Sequence, residues 1–114
     1  MSVVLVTGST SGIGEATARR FAARGDLVVL NSARSPEAGE RLAAELPGAI
    51  YVQADLAREE GVAELLDAVR ERHGRLDVLV NNAATTRRID HRDFAAANRA
   101  VWREIFELNV FATF

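Results

Sequence analysis

Thr7-Gly8-Ser9-Thr10-Ser11-Gly12-Ile13-Gly14 follows four successive apolar residues, Val3-Val4-Leu5-Val6, and opens a stretch with helical periodicity. An unbroken apolar run suits a strand buried on both faces, because a half-exposed strand alternates apolar with polar residues. Beyond the loop, Ile13, Thr17 and Phe21 recur at i, i+4 and i+8, and Gly25 can take the left-handed conformation that ends a helix. Strand, glycine loop and helix therefore follow one another without a gap. Each glycine has an expected task. Gly8 lets the chain turn sharply, Gly12 lets the backbone approach a ligand, and Gly14 lets the helix pack closely on the strand.

The same alternation continues outward. Leu27-Val28-Val29-Leu30 reads as a second strand, and Ser35-Pro36-Glu37 as an N-cap, rigid first position and dipole-matched acid. Ala38, Leu42 and Leu46 share one face of that helix, which Pro47-Gly48 ends. Ala49 to Gln53 predicts a third strand. The next helix runs to about His73, with Val62, Leu65, Leu66 and Val69 at helical spacing and Ala57 where a capping hydroxyl would help. Gly74 closes it, and Leu76 to Val80 predicts a fourth strand. Thr85 to Asp93 reads as a polar loop. From about Ala95 a helical pattern returns, with Trp102, Ile105, Phe106 and Asn109 on or near one face.

Short strands alternating with helices predict an α/β fold with a doubly wound parallel sheet in order 3-2-1-4 and helices on both faces. The helices near Ile13 and Ala38 belong on one face, and those near Val62 and Trp102 on the other. In such sheets a dinucleotide pyrophosphate sits on the free N–H groups and positive end of the helix after the first strand. The residues in position for that are Gly8, Ser9, Thr10, Ser11, Gly12, Ile13 and Gly14. Three residues separate Gly8 from Gly12, so the spacing departs from the general G-x-G-x-x-G fingerprint.

Composition removes other classes. The 114 residues suit one domain rather than two. Sixteen acidic against fourteen basic residues, a net charge of −2, exclude a strongly basic nucleic-acid binder. No cysteine is present, so disulfides, thiolate metal sites and cysteine nucleophiles are excluded. His73 and His91 match no metal-ligand spacing, and no metal is expected. All fourteen bases are arginine. Without lysine these residues hold no Walker phosphate loop and no Schiff base. No apolar run approaches the ~20 residues of a membrane span. Met1 to Thr7 lacks a basic start, so a signal peptide and membrane attachment are not expected, and the cytoplasm is the expected location.

Four landmarks together resemble the short-chain dehydrogenase/reductase family. They are Thr7-Gly8-x-x-x-Gly12-Ile13-Gly14, Asp55-Leu56 after the third strand, Asn81-Asn82-Ala83-Ala84 after the fourth, and Asn109. The resemblance runs from Thr7 to Asn109 and implies an NAD(P)(H)-dependent oxidoreductase that interconverts an alcohol and a carbonyl. It implies that the Asp55 carboxylate, beside Leu56, accepts from the adenine amino group. Left to the residues alone, Asp55 is equally a cap for the next helix. The resemblance implies that Asn82, Ala83 and Ala84 pass close to the nicotinamide-side ribose. Ala84 stands where the family usually has glycine. Asn81 reads as structural, its amide satisfying backbone groups at the strand end. Asn109 matches the asparagine of the family's catalytic tetrad, which helps hold a water in the proton relay. Arg87, Arg88, Arg92, Arg99 and Arg103 read as a solvated face, and Tyr51 as a strand or core residue.

The family's serine and Tyr-x-x-x-Lys pair lie beyond these residues, so the proton-transfer groups are absent here. Residues 1–114 are therefore expected to be the N-terminal portion of a single Rossmann-type domain, inactive alone, with a non-catalytic NADP(H)-binding module as the alternative. The resemblance also implies a homo-tetramer or dimer in the parent enzyme. Cofactor choice has a physical basis. NAD-binding sheets commonly carry an acid at the end of the second strand. Here Leu30-Asn31-Ser32-Ala33-Arg34-Ser35 has none, and Asp26 sits at the strand's opposite end. Arg34 offers a guanidinium fork for a 2′-phosphate, with Ser32 and Ser35 as hydroxyl donors, so NADP(H) is expected over NAD(H).

Overall fold

Val3 to Val6 are all buried and form the central strand of the molecule. The computed structural model describes residues 1–84 and 98–106. Strands β1 (Val3–Val6), β2 (Leu27–Ser32), β3 (Ile50–Gln53) and β4 (Val78–Val80) alternate with helices α1 (Gly12–Ala23), α2 (Pro36–Glu45), α3 (Glu59–His73) and α4 (Arg99–Phe106). All pairings are parallel, in the order β3-β2-β1-β4, as the apolar runs predict.

The pleat of β1 divides the core in two. Val3 and Leu5 face one side, where they meet Val29, Ala54, Leu56 and the α3 residues Leu65 and Val69. Val4 and Val6 face the other, with Val28, Leu30, Ala18 of α1 and Leu42 of α2. Leu5 and Leu30 are the largest side chains with almost no exposure, one in each layer, and each contributes about 1.5–3 kcal/mol through burial. The expected sides of α1, α2 and α3 are thus observed. In α4, Trp102 is 55% exposed.

Element ends differ from the sequence-based bounds for identifiable reasons. β2 runs two residues past Leu30, because its ladder to β3 continues through Asn31↔Val52 and Ser32↔Gln53. β4 begins at Val78, two residues after the expected start at Leu76. The residue before it, Asp77, donates its N–H to the Val3 carbonyl at 2.9 Å and accepts the Val3 N–H on Oδ2 at 2.7 Å. Pro36 opens α2 as expected, but the Ser35 hydroxyl makes no capping bond. Its own N–H donates instead to Ser32 Oγ at 3.3 Å. The start of α3 has no side-chain cap, as expected, although the cap position is Arg58 and not Ala57. Asn98 does cap α4, its Oδ1 accepting the Val101 N–H at 3.1 Å. The expected loop from Thr85 to Asp93, with Arg87, Arg88 and Arg92, and Asn109 lie outside the described residues. Among the described residues no helix is long and apolar enough to cross a membrane, and no cluster of ligating side chains could hold a metal.

Candidate cofactor site

Because all four strands run parallel, the loops after β1, β2, β3 and β4 emerge at one end of the sheet. They enclose an open cleft of about 320 Å³. Gly8, Thr10 and Ser11 line it from the first loop, Ser32 from the second, Asp55 and Leu56 from the third, and Asn82, Ala83 and Ala84 from the fourth. Asn31, Ala33 and Ala54 complete the wall. The cleft lies where chain progression reverses about β1, the place where open α/β sheets bind ligands.

The glycines carry distinct loads. Gly8 has φ +60°, and a Cβ there would lie 2.9 Å from the Ala83 Cα, so the first loop must touch the fourth. Gly14 is closed off more tightly, against the Gly8 carbonyl and the Asn82 side chain. Its expected contact with a strand is therefore a contact with the loop itself. Gly12 has φ +58° and open space around it. Ser11 precedes α1 in an extended conformation without a side-chain cap bond. The first N–H groups of α1 thus lack a side-chain cap beside the open space at Gly12, an arrangement that fits the phosphates of a dinucleotide.

Side-chain amides and hydroxyls lock these loops together. Asn82 Nδ2 donates to the Gly8 carbonyl at 2.9 Å. The Thr7 hydroxyl accepts the N–H groups of Asn82 and Ala83, both at 3.0 Å, and donates to the Val80 carbonyl. The backbone-satisfying role expected of Asn81 falls to Asn82, because Asn82 turns inward whereas Asn81 is exposed. Asn31 is the residue that sequence reasoning missed. It is 1% exposed; its Nδ2 donates to the carbonyls of Val52 and Ala54, and its Oδ1 accepts the Gly8 N–H at 3.4 Å. An asparagine directly after four apolar strand residues was the available signal, since a buried amide must find partners.

Other expected site residues stand apart from the cleft wall. Ser9 is fully buried, its hydroxyl turned to Asn31. Ile13 is 79% exposed at the start of α1. Arg34 and Ser35 are exposed on the turn after β2, and Arg34 makes none of the described ion pairs. Ser32 reaches the cleft but is engaged: its hydroxyl shares a hydrogen bond with the Tyr51 phenol. Asp55 Oδ1 accepts the Ala57 N–H at 3.0 Å, which shapes the turn before α3 rather than capping the helix.

Residues 2–114 match the family model described as short chain dehydrogenase. The chain belongs to that family. It is 59% identical over 111 residues to a Streptomyces violaceoruber protein named for a ketoacyl reductase of granaticin polyketide synthase, covering 97% of this chain and 45% of that one. It also superposes on the 3-ketoacyl-(acyl-carrier-protein) reductase of Brucella melitensis complexed with NADH. That match has a TM-score of 0.89 and 33% identity, and covers 98% of this chain and 45% of the other. The L-sorbose reductase of Gluconobacter frateurii, complexed with NADPH and L-sorbose, gives a TM-score of 0.84 at 34% identity, over 98% and 43% of the two chains. The short-chain dehydrogenase chain described here thus spans under half the length of these relatives.

Proposed function

We propose that this chain forms the cofactor-binding part of an NADP(H)-dependent oxidoreductase acting on a small-molecule alcohol or carbonyl. The carrying observation is the cleft itself, where the glycine loop that leads into the uncapped start of α1 and the loop that carries Asp55 converge. Gly12, Ile13 and Gly14 would offer N–H groups to the pyrophosphate, Asp55 an acceptor to the adenine amino group, and Asn82 to Ala84 a close wall for the second ribose. When bound, the nicotinamide supplies hydride transfer. Asn109 is assigned to the proton relay, whose other groups belong to the remaining length of the protein. A homo-tetramer or homodimer is the assembly proposed for it.

The choice of NADP(H) rests on Arg34. No acid stands between β2 and Glu37, and Arg34 is exposed on the turn that follows β2. A charge-assisted contact contributes ~1.5–3 kcal/mol, or roughly 10- to 150-fold in affinity. In the full-length protein, Arg34→Ala should weaken NADPH binding by about that factor and leave NADH nearly unchanged. Equal losses for both cofactors, or a wild type that prefers NADH, would defeat the assignment.

A further inference from the structure

Arg34 sits between two residues that β3 holds in place. On one side, Gln53 Nε2 donates to the Ala33 carbonyl at 3.0 Å. On the other, the Ser35 N–H donates to Ser32 Oγ, and Ser32 Oγ is itself bonded to the Tyr51 phenol. Tyr51 is fixed in turn: its ring lies directly over Gly39 of α2, where a methyl group would collide with it. The two β3 side chains reach the same four-residue turn from successive odd positions of one strand. Neither lines the cleft.

We infer that Tyr51 and Gln53 are positioning residues for cofactor selectivity, holding the β2–α2 turn so that Arg34 and the Ser32 hydroxyl meet a ribose phosphate. The phenol's single hydrogen has two acceptors in reach, Ser32 Oγ and, at 3.4 Å, the Ser32 carbonyl; when it goes to Oγ, Ser32 Oγ accepts from both Tyr51 and the Ser35 N–H. Its own hydrogen is then left for an anion in the cleft, which Ser32 lines. The Ala33 carbonyl, on the other flank of Arg34, is held by Gln53 of β3. A turn with both flanks tied loses less freedom when the guanidinium engages, which is how preorganisation raises affinity. Phosphate on the ribose is what distinguishes the two cofactors, so the effect belongs to selectivity and not to binding in general.

This inference rests on the Arg34 reading above, and the test separates the two. NADPH and NADH are titrated by fluorescence against the full-length wild type and the variants Tyr51→Phe, Gln53→Ala, Arg34→Ala and Arg34→Ala/Tyr51→Phe. Losing one tether should weaken NADPH by about 2- to 12-fold, the range of a single hydrogen bond, with NADH unchanged. In the Arg34→Ala background, Tyr51→Phe should have little further effect on the NADPH to NADH ratio. Gln53 is exposed, so its variant keeps the test open should Tyr51→Phe misfold. Equal loss of both cofactors in the tether variants, or an undiminished Tyr51→Phe effect without Arg34, overturns the positioning role alone. No selectivity change in Arg34→Ala overturns both readings.

Discussion

Ser9 and Asn31 are joined by a reciprocal pair of hydrogen bonds. The Ser9 N–H donates to the Asn31 carbonyl at 2.9 Å, and the Asn31 N–H donates to Ser9 Oγ at 2.9 Å. The pair ties β2, just past its last rung with β1 at Val6↔Leu30, to the glycine loop. A loop residue thereby behaves as part of the sheet. The Asn31 side chain carries the same connection on to β3 through the carbonyls of Val52 and Ala54. Three of the four loops around the cleft are therefore set by one buried amide and one buried hydroxyl.

Replacing Asn31 with leucine keeps the volume roughly constant but strips two carbonyls and the Gly8 N–H of a partner. Leaving buried polar groups unpaired costs ~1–3 kcal/mol, and urea unfolding of Asn31→Leu should show a loss in that range. Ser9→Ala should also destabilise, because it strips the Asn31 N–H of its acceptor; that bond runs through the Asn31 backbone and survives Asn31→Leu, so the two losses should roughly add. A Ser9→Ala protein as stable as the wild type would show that the hydroxyl is incidental.

The glycines separate two kinds of cost. At Gly14 an added methyl meets the Gly8 carbonyl, a backbone atom that cannot swing aside. Gly14→Ala should destabilise the fold by the ~1–3 kcal/mol of overpacking or more. Gly12 has open space and a positive φ, so Gly12→Ala should cost only the ~1–2 kcal/mol of a left-handed residue. Its larger effect should be on dinucleotide affinity, since the methyl would occupy the cradle. A Gly12→Ala protein that binds NADPH normally would refute that placement.

The sheet order and the sides of three helices were legible because unbroken valine and leucine runs mark strands covered on both faces. Glycines at the helix ends supplied the punctuation. What escaped was polar and long-range. Asn31 looks like a strand end in one dimension, and only the approach of β3 shows that its amide is enclosed. Ser35 has the right neighbours for a cap, yet the contact within the turn to Ser32 sets its conformation instead. Asn81 and Asn82 are chemically identical neighbours, and the turn after β4 alone decides which faces inward. Hydrophobic period reports layers well, but which amide meets which carbonyl depends on tertiary approach.

Asp77 gives an acid-side signature. The Val3 N–H, 2.7 Å from Oδ2, holds this carboxyl below its usual value, and the nearby Arg75 acts in the same direction against partial burial. A carboxyl lowered on folding contributes stability that is complete above its unfolded value, 3.8, and is lost as pH falls through the folded one. Asp77→Asn should therefore flatten the fall in stability below about pH 4 while changing little of its slope near neutrality. Denaturant midpoints measured between neutrality and strong acid check this. An unchanged acid limb would mean that the Val3 contact does not persist in solution.

Thr7 makes the closing case, because one hydroxyl holds the ends of β1 and β4 together. Its Oγ1 accepts two adjacent N–H groups, from Asn82 and Ala83, and donates to the Val80 carbonyl at 3.3 Å. Thr7 is 3% exposed, so water cannot readily replace these bonds. Thr7→Val retains the shape and removes every one of them. It should lose ~1–3 kcal/mol and, on the proposed placement of the shared nicotinamide-side ribose against Asn82–Ala84, weaken both cofactors alike. Thr7→Ser keeps the hydroxyl and deletes one methyl, worth about 0.8 kcal/mol when buried. Serine should therefore restore most of the affinity that valine loses. Thermal melts and the two cofactor titrations distinguish the cases. If valine and serine behave alike, the hydroxyl is dispensable and packing alone joins the strand ends.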